Sequence, residues 1–363
     1  MKVVVVGTRG IPNILGGVET HCEELYPRLV EMGCDVTVVR RSSYITPQNQ
    51  IKSYKGVKLH DIFAPRKKSF EAITHTFLAI IYAKRQHADI LHIHAIGPSI
   101  MVPFARLLGL KVIMTHHGPD YDRQKWGKLA KAILRLGEKW GVRHSNQVVV
   151  ISQVIADICS KQHKRPDTHL IYNGVNTPQR ATTTQYIESL GLEAGKYILA
   201  TGRFVKEKNF DLLIKAYAQS SIKNDYRLAI AGDADHPDEY SKSLKQLAHD
   251  NNVVLTGFIK GAKLNEILSH AALYVLPSSH EGLPIALLEA MSYNLDVTVS
   301  NIPANTLPCL QDDDFHQVGD IDALKKVIER KLNNNPGMRS YDLTPYNWDY
   351  IAQQIKELYN SMC

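Results

Sequence analysis

The chain has 363 residues, 44% of them hydrophobic and 22% charged, the balance of a folded globular protein long enough for two domains. No apolar run reaches the roughly 18–20 residues of a membrane span. The formal net charge of +7 is unevenly shared: residues 1–172 hold 25 Lys/Arg against 13 Asp/Glu, and residues 173–363 hold 18 against 23.

A basic half joined to an acidic half suits a polyanionic partner or an anionic membrane surface. No nucleic-acid motif accompanies the charge, so no nucleic-acid partner is expected. The opening MKVVVVG is too short for a secretory leader and runs directly into a strand. The five cysteines (Cys22, Cys34, Cys159, Cys309, Cys363) form no C-x-x-C pattern and are expected to be reduced thiols of a cytoplasmic protein.

In chain order, a buried-type strand over Lys2–Val6 leads into the loop Gly7-Thr-Arg-Gly10 and on to Gly16-Gly17-Val18-Glu19. A helix to about Met32 and a strand over Val36–Val39 follow. This β-loop-α-β opening predicts a doubly wound sheet. The glycines do not spell G-x-G-x-x-G, yet Arg40 and Arg41 stand after the second strand, where arginine accepts a 2′-phosphate in NADP enzymes. An NADP oxidoreductase is therefore one rival reading.

Residues 42–68 read as irregular, with a strand-like piece at Val57–Leu59. Arg66-Lys67-Lys68 precedes an apolar helix over Phe70–Tyr82 that ends in Lys84-Arg85. This is either a packed helix with solvated ends or one that lies on an anionic membrane. On the predicted strand Ile90–His94, His92 and His94 share a face, but no third metal ligand is evident nearby. A helix closes at Ala105–Gly109, and the strand Lys111–Thr115 ends in His116-His117-Gly118-Pro119-Asp120. Residues 123–143 predict a basic amphipathic helix carrying Trp126 and Trp140, a second candidate membrane face. A strand over Gln147–Ile151, Ser152 as a helix cap and a strand over Leu170–Tyr172 complete this half.

Asn173-Gly174-Val175 marks a turn, and residues 177–196 form a linker into a helix. The pattern then restarts with the strand Tyr197–Ala200, the loop Gly202-Arg203-Phe-Val-Lys-Glu-Lys208 and a helix over Phe210–Ser220. Arg203 and Lys208 put two cations on a strand–helix loop, suited to phosphate oxygens. Strands over Tyr226–Ala231 and Val253–Leu255 follow. Asp233-x-Asp235 and Asp312–Asp314 are acidic groupings that could suggest a divalent metal.

The most informative stretch is LPSSHEGLPIALLEAM, residues 276–291. It predicts a strand end, a Gly-containing turn and a helix from Leu283 to Met291. First-turn amides have no internal partners and favour phosphate. Glu281 and Glu289 are eight residues apart, spanning roughly 12 Å along a helix. Carboxylates accept hydrogen bonds and suit paired sugar hydroxyls. Glu281 is assigned to a transferred sugar, Glu289 to a ribose, and the Gly282–Leu283 amides to the phosphates. Either glutamate alone would be an ordinary surface residue. A strand over Val297–Ser300 and a terminal helix from Tyr346-Asn347-Trp348 to about Met362 end the chain.

Five segments in order, GGVE, THHG, NGV, GRFVKEK and EGLPIALLE, resemble the motifs of the retaining GT-B glycosyltransferases of family GT4 ("group 1"). GTRGIP…GGVET is similar to members that assemble bacterial surface polysaccharides. The resemblance implies two Rossmann-like α/β domains facing a cleft. These are an acceptor domain over residues 1–172, a nucleotide-sugar domain over 173–345, and a terminal helix over 346–363 that returns to the first domain.

It further implies that Gly16 and Gly17 lie against the donor diphosphate or the acceptor, and that His117 hydrogen-bonds the donor sugar. Gly202, Arg203 and Lys208 would hold the diphosphate. Phe258 and Ile259 would lie near the base, Gly282, Leu283 and Pro284 near the donor, and Glu19 and Asp120 near the acceptor. The expected donor is a nucleotide-diphosphate sugar, most commonly UDP-linked, used as a substrate with no cofactor or metal. The acceptor is a saccharide or lipid-linked saccharide, met in the cytoplasm or at the inner face of the membrane. After Glu289, Tyr293-Asn294-Leu295-Asp296 replaces the family's small residue, Gly and Pro. Other rivals are a non-catalytic sugar-nucleotide-binding protein and a UDP-sugar epimerase, for which no acid/base pair can be placed.

Overall fold

The computed structural model describes every residue except Gln48, 66–70, 123–125, 235–236 and 335–336. The chain forms two compact units, Met1–Gly174 with Pro345–Cys363, and Val175–Thr344.

The first unit contains β1 (Lys2–Val6), β2 (Asp35–Arg41), β3 (Ser53–Tyr54), β4 (Val57–Ile62), β5 (Ile90–His94), β6 (Val112–His116), β7 (Gln147–Val150) and β8 (His169–Leu170). They form one sheet in the order β3-β4-β2-β1-β5-β6-β7-β8. All pairs are parallel except β3 with β4. Parallel sheets bury both faces, which accounts for the unbroken valines of β1. Val3 and Val5 pack with Leu25, Tyr26 and Leu29 of helix Gly17–Glu31 and with Ile351, Ile355 and Tyr359 of helix Trp348–Asn360. Val4 and Val6 face the other way, into a cluster with Ile80, Leu91, Ile93 and Val102. The last helix thus completes the core of the first unit. Asn347 caps it by accepting from the Asp349 and Tyr350 amides.

The second unit contains β9 (Tyr197–Thr201), β10 (Arg227–Ala231), β11 (Val254–Gly257), β12 (Leu273–Leu276), β13 (Val297–Ser300) and β14 (Phe315–His316). The order is β11-β10-β9-β12-β13-β14, parallel throughout. Its core joins Ile198, Ala200, Leu228, Ile230, Leu273 and Val275 to Phe210, Leu213 and Ile214 on one helix and Leu324 and Ile328 on another.

In each sheet the strand order reverses about the first strand, at β1/β5 and at β9/β12. Open α/β sheets bind ligands outside the carboxyl ends of the strands at such a reversal. Glycine marks both places. A Cβ on Gly7, at φ +96°, would lie 2.2 Å from the His94 carbonyl oxygen. A Cβ on Gly232, at φ +146°, would lie 1.8 Å from the Gly202 carbonyl oxygen.

Three local expectations are corrected. Helix Lys128–His144 begins later than the basic pattern suggests; Arg123 and Lys125 lie outside the described residues, as do Arg66–Lys68, Phe70 and Asp235. Ser152 stands at the N-cap of helix Gln153–His163 but makes no capping bond, and its buried hydroxyl has no partner among the described residues. The 276–291 stretch turns helical only at Ile285, after Pro284. The Gly282 and Leu283 amides therefore precede the helix, and Glu281 and Glu289 are not a span of continuous helix.

Candidate functional site

In the second unit, the loop after β9 and the loop after β12 are stitched together at the reversal point. Asn209, at φ 52°, donates its side-chain amide to the Pro277 carbonyl at 3.0 Å. The Ser279 amide donates to the Glu207 carbonyl at 2.8 Å. Across this seam Lys208 Nζ donates to Glu281 Oε1 at 2.6 Å, an ion pair whose side chains are only 17% and 12% exposed. Gly202 is held at φ +150° with its Cβ direction toward the Lys208 chain, and Arg203 follows, half-buried. Glu289, half-buried on helix Ile285–Ser292, belongs to the same neighbourhood. Burial raises the Tyr274 phenol, and the charges of Glu289 and Glu281 raise it further. Tyr274 shares a 3.0 Å hydrogen bond with Thr201 at the end of β9. Lys208, Glu281 and Glu289 thus gather near the carboxyl ends of β9 and β12, with Arg203 on the same loop as Lys208. Leu283 and Pro284 are buried, while Phe258 is 42% exposed and Ile259 half-buried just past β11.

In the first unit, Gly16 leads into helix Gly17–Glu31 at φ +151°, where a Cβ would strike Glu19 Oε2 at 2.1 Å; Gly17 has nothing among the described residues within 4 Å of its Cβ position. Glu19 is 4% exposed. It accepts from Thr8 Oγ1 at 3.2 Å, from the Arg9 amide at 3.0 Å and from the Arg9 guanidinium at 3.1 Å. It braces the loop after β1 from inside. Asp120 is half-buried in a short 3₁₀ turn, Asp120–Asp122.

His117 joins a histidine cluster that the sequence pattern did not reveal. His94 Nδ1 and His117 Nε2 are 2.8 Å apart. The His21 ring stands edge-on to both, with centroids 5.5 and 5.0 Å away. His92 lies behind them, bonded to Thr115 at 2.7 Å and to Tyr359 at 2.6 Å. Burial lowers His21 to about 4 and His92 to about 3. Burial, and then the neighbouring imidazoles, hold His94 and His117 well below the usual histidine range. The cluster is neutral at neutral pH.

His21 was missed because it lies on a helix, far in sequence from β5 and β6. The available signal was a polar residue on the buried stripe with Cys22, Leu25, Tyr26 and Leu29. His116, the neighbour considered beside His117, turns away. It bonds buried Glu138 at 2.8 Å, which also receives Tyr121 and His163.

Arg40 corrects the 2′-phosphate reading. It is 1% exposed. Its guanidinium donates to Asp61 at 2.7 and 3.1 Å, to the Asn49 carbonyl at 2.8 Å, to that of Ile51 at 3.1 Å and to that of Ile11 at 3.3 Å. With its fork saturated, it has nothing left for a phosphate. Arg41 pairs with Glu71 at 3.5 Å.

Comparison with known proteins agrees with this architecture. Residues 182–346 match the family described as glycosyl transferases group 1, and residues 15–179 match glycosyltransferase family 4. An uncharacterized glycosyltransferase of Methanocaldococcus jannaschii is 25% identical, over 99% of this chain and 98% of its own. The UDP-Gal:alpha-D-GlcNAc-diphosphoundecaprenol alpha-1,3-galactosyltransferase of Escherichia coli is 26% identical over 77% of each chain. Among solved structures, the sucrose-phosphate synthase of Thermosynechococcus elongatus superposes with a TM-score of 0.83 at 21% identity, covering 99% of this chain and 98% of that one. The fold class is the GT-B class that the sequence motifs imply.

Proposed function

The chain belongs to the group 1 (family 4) glycosyltransferases, and from that premise we propose that it moves a sugar, with retention, from a UDP-sugar to a saccharide or lipid-linked saccharide hydroxyl in bacterial polysaccharide biosynthesis. The observation that carries this reading is the Lys208–Glu281 pair, seated beside Arg203 at the reversal point of the second sheet.

Arg203 and Lys208 bind the diphosphate and offset the charge that grows on it as the anomeric C–O bond breaks. Two fixed cations serve where other enzymes use a divalent ion, so the transfer needs no metal. Glu281 fixes the Lys208 ammonium and accepts from hydroxyls of the transferred sugar, and Glu289 accepts from the ribose. His117 hydrogen-bonds the sugar. The acceptor oxygen bonds to the anomeric carbon on the face the leaving group vacates, and its proton passes to the departing phosphate oxygen. Glu281, ion-paired to Lys208, acts in binding and not as the nucleophile of a two-carboxylate mechanism. The UDP-Gal donor and diphosphoundecaprenol-linked acceptor of the E. coli relative support the choice of substrates.

A membrane-bound acceptor also suits helix Lys128–His144. Its exposed positions carry Lys128, Arg135, Lys139 and Arg143 beside Leu129 at 76% and Trp140 at 36% exposure, a basic and apolar face suited to anionic lipid. No helix among the described residues is long and apolar enough to cross a membrane. Association is thus proposed to be peripheral, from the cytoplasmic side.

The test is a panel of UDP-, GDP- and dTDP-sugars and NADP scored by thermal shift. It is followed by NMR of the anomeric configuration of the product formed on a lipid-linked saccharide. Selective stabilisation by a UDP-sugar and a product retaining the donor's configuration are expected. Stabilisation by NADP alone, or an inverted product, would overturn the corresponding part of the reading.

A further inference from the structure

We propose that His21, His94 and His117 form a binding site for one divalent transition metal ion of the zinc class. One ring nitrogen from each comes together so that all three lie within 4.8 Å of one another. Tetrahedral zinc with Zn–N of about 2.0–2.1 Å needs nitrogens about 3.3 Å apart, so small ring movements suffice.

The opposite ring nitrogens are already held, as in metal sites whose outer partners fix the histidine tautomer. His21 Nδ1 is 3.0 Å from Asn173 Oδ1. A carboxamide oxygen only accepts, so Nδ1 carries the proton and Nε2 presents its lone pair. That Nε2 is buried with no hydrogen-bond partner among the described residues, and His21 is 2% exposed. A lone pair left bare in the interior is costly unless a ligand takes it. His94 Nε2 is bonded to the Tyr26 hydroxyl, which directs Nδ1 to the common centre. His117 Nε2 faces His94 Nδ1 across 2.8 Å. Moving its proton to its own Nδ1 frees the third lone pair without net loss of a proton.

The donor set decides the class of ion. Three neutral imidazoles without a carboxylate suit zinc, cobalt, nickel or copper and not magnesium or calcium. His117 is partly exposed, which leaves a fourth position for water or an anion. The site shares His117 with the sugar-transfer reading, but metal titration needs no donor or acceptor, so failure of the site and failure of the transfer are distinguishable.

The test uses the full chain, freed of metal and titrated with cobalt(II) chloride and then zinc chloride. Intense visible bands of tetrahedral cobalt are expected at one equivalent, abolished by zinc. Asn173→Ala keeps all three ligands and should weaken zinc by about 10–100-fold, and His21→Ala and His117→Ala by more than that. His117 is the most exposed of the three, so His117→Gln serves if the buried variants fail to fold. A wild type lacking the intense cobalt bands overturns the site whatever the variants do. So does unchanged affinity in folded His117→Gln, which would put the metal on other histidines.

Discussion

Gly232→Ala separates backbone strain from backbone crowding at the donor loop. At φ +146° an added Cβ would lie 1.8 Å from the Gly202 carbonyl oxygen and 2.8 Å from its carbon. Contacts under about 3 Å are not tolerated, and the obstacle is main chain in the loop that carries Arg203 and Lys208. Leaving the glycine region costs about 1–3 kcal/mol, and forcing the two backbones apart about 1–3 kcal/mol more. The expected total is about 2–6 kcal/mol. In a unit of this size each kcal/mol moves the melting temperature by about 2–4 °C, giving a fall of roughly 4–24 °C in the transition of the second unit. Gly257 is the control. It accepts the Gly232 amide at 2.9 Å and has φ +69°, with nothing among the described residues within 4 Å of its Cβ position. Gly257→Ala therefore costs only the left-handed conformation, about 1–2 kcal/mol. Differential scanning calorimetry, backed by urea titration, measures both. If Gly232→Ala melts together with Gly257→Ala, the crowding argument fails. Gly232→Ala should also reduce kcat/KM, because the displaced Gly202 carbonyl immediately precedes Arg203.

Lys208→Ala should lower kcat by about 10²–10³-fold, the range for removing one preorganised transition-state partner, with the circular dichroism unchanged. An unaltered kcat would remove Lys208 from the chemistry. Arg40→Met strips three carbonyls and Asp61 of their donors and should cost about 2–4 kcal/mol in chemical denaturation; NADP should stabilise neither form. A surface-like effect would contradict the burial of Arg40. Acid should destabilise both units through His75 and His316. Burial, joined at His75 by the charge of Arg41, lowers each to about 4. The unfolded chain, with histidine near 6.5, then binds more protons than the native one. The stabilisation is full above about pH 6.5 and is lost as pH falls toward 4. Melting curves of His75→Gln and His316→Gln across that interval should show shallower slopes than wild type; parallel slopes would show that other groups govern acid unfolding.

Much of this protein is written locally. The valines of β1, the ILHIH of β5 and the VTVS of β13 are short apolar runs bounded by turn residues, and a parallel sheet buried on both faces requires such runs. The motifs that imply the family are local too, because a phosphate site needs a strand end, glycine and a cation within a few residues. Local pattern was weaker at helix starts. Pro284 postponed the helix before Glu289 to Ile285, and the chain's polarity gave no warning that Ser152 would occupy a cap without capping.

What the sequence by itself could not decide is which strand ends become neighbours. Lys208 and Glu281 meet because the second sheet reverses at β9/β12. His21, His94 and His117 meet because β5 and β6 lie side by side and helix Gly17–Glu31 packs over the same sheet. Alternation along a strand sets the face each side chain occupies, but strand order is fixed by how complete faces bury one another. Arg40 makes the same point in reverse. In sequence it is a free cation after a strand, and only the packed loops supply the carbonyls and Asp61 that consume it.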